Sequence, residues 1–164
     1  ALADLRSHVK VPLAFGERLY STWQFRSLLE QRAADFVQPD VSHAGGITEL
    51  RKIAALAESY HVPFCPHNPS GPVANAATLQ LAASQPGFYL LETMATDVPY
   101  RREICSAPVT LCDGYMAIPD TPGLGVDINE TAIARYPYQP IALRHYDGTL
   151  TQIRPQNATE YFSE

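Results

Sequence analysis

Four short apolar runs, each ending on an ionisable residue, recur at near-constant spacing along the chain, and this constrains the fold more than any other feature. The runs are Val11–Phe15, Phe36–Val37 leading into Gln38-Pro39-Asp40, Val62–Cys65 and Phe88–Leu91. Each is bounded by polar or turn residues and reads as a buried strand. Their terminal residues are Glu17, Asp40, His67 and Glu92, with spacings of 23, 27 and 25 residues. Helical patterns fill the intervals. Over Thr48–Tyr60, residues Leu50, Ile53, Ala54, Ala57 and Tyr60 fall on one helix face. Ser21-Thr22-Trp23-Gln24 has the capping-box form ahead of Phe25, Leu28 and Leu29, and Ser70-Gly71-Pro72 opens a further helix. Strand alternating with helix predicts an α/β fold built of βαβ units around a parallel sheet. The rhythm alone leaves open whether that sheet is doubly wound or closed as a barrel. Four units amount to half of an eight-unit barrel, which takes about 250 residues.

In either arrangement the carboxyl ends of parallel strands share one rim, where such folds place their active sites. A single strand-end acid is more often a solvated residue or helix cap than a catalytic group. Four ionisable residues in one register are harder to explain as independent caps. Glu17, Asp40, His67 and Glu92 are therefore the candidate site, and carboxylates beside an imidazole suit metal-assisted acid/base chemistry. Arg18, His43 and Asn68 adjoin these positions and carry donors suited to hydroxyls or a carboxylate. For Arg18 the competing reading is a pair with a neighbouring acid. For His43 it is bracing of the Ala44-Gly45-Gly46 turn.

The rhythm stops after Glu92. Residues 93–122 are rich in Pro, Tyr and Arg and read as an irregular excursion with a weak strand at Val109–Leu111. Ile141–Tyr146 and Thr149–Ile153 alternate around Asp147-Gly148, which predicts a hairpin. The expected division is thus the strand–helix units over 1–95, an irregular segment over 96–137 and a hairpin with tail over 138–164.

Composition removes several function classes. The net charge is −5, from 17 acidic and 12 basic residues with no Lys/Arg cluster, so nucleic acid is not an expected partner. No run approaches the roughly 20 apolar residues of a membrane helix, and no membrane partner is expected. Three cysteines, without C-x-x-C or zinc-ligand spacing, fit a reducing compartment, and the expected location is cytoplasmic.

Gly16-Glu17-Arg18, the run from Gln38-Pro39-Asp40 through Ser42-His43-Ala44-Gly45-Gly46 to Glu49, Pro66-His67-Asn68-Pro69-Ser70-Gly71-Pro72, and Leu91-Glu92 together resemble the enolase superfamily. Within it they are most similar to the mandelate racemase subgroup and its acid-sugar dehydratases of the galactonate dehydratase type. The resemblance runs to about Pro137. It implies the C-terminal half of a (β/α)7β barrel, strands five to eight, with the segment after Glu92 returning toward a capping domain.

The resemblance also implies roles. Glu17 resembles the third carboxylate ligand of a Mg2+ ion, Asp40 and His67 a dyad whose imidazole takes the proton beside the substrate carboxylate, and Glu92 the last-strand acid that hydrogen-bonds the enediolate. The implied reaction is Mg2+-dependent dehydration of a sugar acid to a 2-keto-3-deoxy acid. A racemase, epimerase or cycloisomerase would use the same proton abstraction, and a non-catalytic binding or regulatory barrel is the alternative from another class. Counterparts of the first two metal ligands are not found in these residues, and one carboxylate does not hold Mg2+. The expectation is that the remaining barrel half and cap come from upstream residues or a second chain, that the 164 residues alone are inactive, and that the complete protein is a homo-oligomer.

Overall fold

The four apolar runs lie side by side in chain order, all parallel, in a computed structural model that describes residues 1–94, 99–106, 109 and 111–138. A first helix, α1 (Leu2–His8), precedes β1 (Ala14–Phe15), α2 (Thr22–Glu30), β2 (Phe36–Val37), α3 (Ile47–Ser59) and α4 (Pro72–Ala83). In the ladder Ala14 stands opposite Phe36 and Phe15 opposite Val37. Val37 then bridges Phe64, and Phe64 bridges Phe88. The chain of bonds continues from Gln38 N to Phe15 O (2.8 Å), Cys65 N to Val37 O (2.9 Å) and Tyr89 N to Phe64 O (3.0 Å). The strands are shorter than the apolar runs. Pro12, Pro63 and Pro66 have no N–H to give, so the first and third runs pair only over a few rungs.

Strand order equal to chain order is informative. Right-handed crossovers between successive neighbours put every helix on the same face of the sheet. That is the half-barrel arrangement; a doubly wound sheet reverses its order part-way. α2 packs on α3, and α3 on α4. Between these helices and the sheet lies the core, with Val37 and Phe64 from the strands, Phe25 and Leu29 from α2, Leu50 and Ile53 from α3, and Leu81 from α4. Each such side chain contributes about 1.5–3 kcal/mol by leaving water. The α3 face is buried as expected over Leu50, Ile53, Ala54 and Ala57, whereas Tyr60 is the exposed C-cap residue.

Local signals fix the helix ends. Gly71 and Pro72 start α4, with proline in the first turn where no donor is lost. Ser21 is the N-cap of α2 by position, but its side chain makes no cap bond. Instead Gln24 Oε1 accepts from Tyr20 N at 2.6 Å, and Glu49 of α3 accepts from Thr22 N (2.9 Å) and Thr22 Oγ1 (2.6 Å). The expected capping box is thus replaced by a carboxylate from the neighbouring helix. These bonds, with Lys52 alongside, hold Glu49 well below the usual carboxylate range, at about 2.

α2 and α3 stop by the same device. Arg32 and His61 adopt positive φ (50° and 57°) at the position after the C-cap. The next N–H returns to the helix, from Ala33 to Leu28 O (3.1 Å) and from Val62 to Ala57 O (3.0 Å), the bonding of a Schellman motif.

Helix α1 was not legible in the sequence because it buries no residue. It is tied down by charge: Arg6 Nη2 lies 2.7 Å from Asp35 Oδ1, while Asp35 Oδ2 accepts from Leu13 N at 2.8 Å. The Leu13 bond, then the Arg6 contact, keep the Asp35 carboxyl below its ordinary range.

The segment expected to be irregular holds more structure than that. It contains α5 (Pro99–Glu103), an antiparallel hairpin of β3 (Leu111–Cys112) and β4 (Tyr115–Met116), and α6 (Glu130–Ile133). The hairpin turns on Asp113-Gly114, both with positive φ (49° and 81°), as a type I′ turn demands. The strand expected at Val109–Leu111 is displaced to this hairpin. Asn129 Oδ1 caps α6 by accepting from Ala132 N at 3.0 Å. Residues Ala1–Ala132 form one compact unit and Ile133–Glu164 a second. In the second, the described part is a short turn in which Tyr136 N donates to Ile133 O. The hairpin expected around Asp147-Gly148 lies outside the described residues. No described helix is long and apolar enough to cross a membrane.

Candidate active site

Asp40 and His67 form a parallel rung just past the last core rung of their strands, with His67 N donating to Pro39 O at 3.1 Å. Asp40 is 1% exposed. A buried carboxylate is costly unless its lone pairs are filled, and both of its oxygens are engaged. Oδ1 accepts from Ser42 N at 2.6 Å, and Oδ2 lies 2.8 Å from His67 Nδ1. The turn toward α3 then closes on Asp40's own carbonyl, which accepts from His43 N and Ala44 N. Asp40 therefore both caps the turn and orients the imidazole, one oxygen for each task. With Nδ1–H donating to Asp40, the other ring nitrogen, Nε2, faces the rim.

At Nε2 stands Glu17, whose Oε2 is 3.2 Å away. The Glu17 side chain is half exposed, and its second oxygen receives Arg18 Nε at 3.2 Å. His43 Nδ1 lies 3.0 Å from the Glu17 backbone carbonyl, to which it donates, and its ring centroid is 6.2 Å from that of His67. Both ring nitrogens of His67 thus face carboxylate oxygens. Glu92 is half-buried on the next strand end, its N–H donating to Pro66 O at 3.3 Å. Its Oε2 accepts from Gln38 Nε2 at 3.1 Å.

Of the seven residues singled out in the sequence, Glu17, Arg18, Asp40, His43 and His67 are joined by direct contacts. Glu92 joins the rim through Gln38. Asn68 requires a correction as a substrate contact: it is 2% exposed, and its Nδ2 donates to Asn75 Oδ1 of α4 at 2.6 Å. The tight loop after His67 turns Asn68 toward α4, and its Oδ1 has no hydrogen-bond partner among the described residues. Two features went unread in the sequence, the Glu17–His67 contact and the part played by Gln38. The second had a signal: Gln38 and Asp40, two apart on an extended segment, share a side.

Gly16 shapes the rim. It has φ +148°, and a Cβ there would stand 2.7 Å from the Gln38 backbone carbon and 2.8 Å from Phe25 Cε1. Only glycine lets the end of β1 approach Gln38 this closely.

As for Mg2+, Glu17 is a hard oxygen donor of the right type, but the ion needs several such ligands. Among the described residues no three His, Cys, Asp or Glu side chains gather as a metal site. The described residues do not make a Mg2+ site by themselves.

Parallel βα units in chain order define a barrel-type α/β domain that carries an aspartate–histidine pair at its carboxyl rim. The chain belongs to the enolase C-terminal domain-like family, whose profile matches residues 1–132. It is 41% identical over 155 residues to a D-galactonate dehydratase family member of Streptomyces bingchenggensis, covering 92% of this chain and 38% of that protein. It is 39% identical over 160 residues to the D-galactonate dehydratase of Variovorax paradoxus, covering 90% and 42%. Among solved structures, a mandelate racemase/muconate lactonizing enzyme-like protein from Rubrobacter xylanophilus superposes with a TM-score of 0.79 at 35% identity, covering 86% of this chain and 36% of the other. The chain spans about two-fifths of the length of the curated relatives it matches.

Proposed function

We propose that this chain is the catalytic-rim half of an acid-sugar dehydratase that converts a galactonate-like aldonate to a 2-keto-3-deoxy acid. The observation that carries the reading is the Asp40–His67 pair, 2.8 Å apart, with Nε2 turned to the rim. The similarity to D-galactonate dehydratases supports it. Nε2 takes the proton from the carbon beside the substrate carboxylate. Asp40 holds the proton on Nδ1, so that the acceptor is always Nε2, and stabilises the imidazolium that forms. Glu92, protonated, donates to the oxygen on which enediolate charge develops. The 3-hydroxyl then leaves as water, protonated by an acid of the remaining polypeptide, and the enol ketonises. One proton and one hydroxyl are lost in all.

For this to happen Nε2 must exchange Glu17 for the substrate. Arg18 and His43, both exposed beside it, are the proposed contacts to substrate hydroxyls or carboxylate. The four strands are assigned as five to eight of the barrel, and the segment 96–137 as the return toward a cap. Mg2+ is assigned to the complete protein, with Glu17 as one of its oxygen ligands. A homo-oligomeric state and a cytoplasmic location, the latter in keeping with three free thiols, belong to the same reading.

The test uses the complete polypeptide that contains this chain, with Mg2+, against a panel of sugar acids. Release of a 2-keto-3-deoxy acid is expected from a galactonate-like member. Exchange or inversion at the α-carbon in deuterated water without loss of water would replace the dehydratase with a racemase or epimerase, and the absence of both would leave a binding barrel.

A further inference from the structure

Gln38 lies on the same side of its strand end as Asp40, and its backbone is fixed on both flanks. Its N–H donates to Phe15 O at 2.8 Å, and the side-chain-free face of Gly16 packs directly on its carbonyl group. From this fixed base its amide spans two strands in the ladder to reach Glu92 Oε2 at 3.1 Å. Among the described contacts this is the one side-chain hydrogen bond that Glu92 makes.

We infer that Gln38 is a positioning residue for Glu92, selecting which carboxyl oxygen carries the acidic proton. This deepens the dehydratase reading and rests on it. The carbonyl oxygen of a protonated acid is a better acceptor than its hydroxyl oxygen, so the amide N–H at Oε2 favours Oε2 as the carbonyl-type oxygen. The proton is then favoured on Oε1, the oxygen left free for the substrate. The same bond fixes the plane of the carboxyl group. Without it the acid rotates, and either oxygen can carry the proton. Gln38 touches no reacting atom; it acts through Glu92 alone. A misaligned donor weakens an interaction made chiefly in the transition state, so the loss falls on kcat more than on KM.

The experiment uses the complete polypeptide with Mg2+ and compares Gln38→Met, Gln38→Leu, Glu92→Gln and the Gln38→Met/Glu92→Gln double variant. Met keeps the length of the side chain and removes the donor; should it fail to fold, Leu carries the comparison. The expected result is a fall in kcat of about 10- to 100-fold for Gln38→Met with KM within about threefold and an unchanged melting temperature. The double variant should be no slower than Glu92→Gln alone, because Gln38 has nothing left to position. Wild-type kcat in both Gln38 variants beside an inactive Glu92→Gln overturns the inference alone, as do losses that multiply in the double variant. A fully active Glu92→Gln overturns this assignment and the role given to Glu92 while the dehydratase reading stands; an unmutated protein that turns over no sugar acid overturns that reading and this assignment with it.

Discussion

Asp40 and His67 are partners at two levels: their backbones pair as a rung of the parallel ladder, and their side chains meet at 2.8 Å. The spacing of the two side chains is therefore inherited from the sheet and not from a loop. Such a rung holds its side chains on one face at the strand separation of about 4.8 Å, well within reach of a carboxylate and an imidazole.

Replacing Asp40 with Asn leaves a single side-chain oxygen, which, kept as the acceptor for Ser42 N, turns an N–H toward the ring. The imidazole is then free to take the other tautomer, with its proton on Nε2. In the complete protein, proton exchange at the substrate α-carbon should fall by about 10³-fold or more while the melting temperature moves by a few degrees at most. His67→Asn should abolish exchange and leave Mg2+ binding, measured by calorimetry, intact. Near-normal exchange in His67→Asn would refute the assigned roles.

Glu49 supplies a pH signature. Its carboxyl is at about 2 in the folded chain against an ordinary 4.5, chiefly through the two Thr22 bonds. A group lowered by folding stabilises the fold above its unfolded value and loses that contribution as pH falls, here between about 4.5 and 2. Glu49→Gln should cost on the order of 1 kcal/mol in urea unfolding at pH 7. The gap to wild type should close as the measurement moves to pH 2.5; a gap independent of pH would show that the charge is irrelevant.

Gly16→Ala places a methyl group against the Gln38 backbone and Phe25, at a φ that side chains rarely adopt. Neither neighbour is a flexible side-chain end, so the strand end must shift. The expected cost is about 2 kcal/mol or more, read as a fall in the unfolding midpoint. Unchanged stability would mean that the two strand ends separate freely.

His61→Gly tests the opposite sign. His61 holds a positive φ of 57° after the C-cap of α3, where a Cβ is unfavourable. Glycine relieves that and keeps the return bond from Val62 N to Ala57 O, although it makes the unfolded chain more flexible. A net gain of up to about 1 kcal/mol is expected, and a loss would show that the His61 side chain makes a contact worth more than its strain.

Much of this architecture is written locally and is therefore legible. The apolar stripe of α3, Pro72 at the start of α4 and the strand-end register of Asp40 and His67 all follow from periods of 3.6 and 2. What was hidden depends on distant partners. Ser21 to Gln24 spell a capping box, yet the donors at the start of α2 are taken by Glu49, 27 residues on. Asn68 reads as a rim donor until α4 supplies Asn75. Helix α1, with no buried face, is fixed by the Arg6–Asp35 pair. The Asp113-Gly114 turn carries a hairpin signal that the irregular composition around it obscured.

The order of the strands has a consequence for how the chain comes to be folded. Each ladder partner lies close behind in sequence: Ala14 with Phe36, Val37 with Phe64, Phe64 with Phe88. Every closure among the described strands thus spans a loop of a few tens of residues, for which the entropic cost is small. The sheet can grow one strand at a time from its amino-terminal edge, in the order in which a ribosome delivers it, so that Asp40 is already seated when His67 arrives.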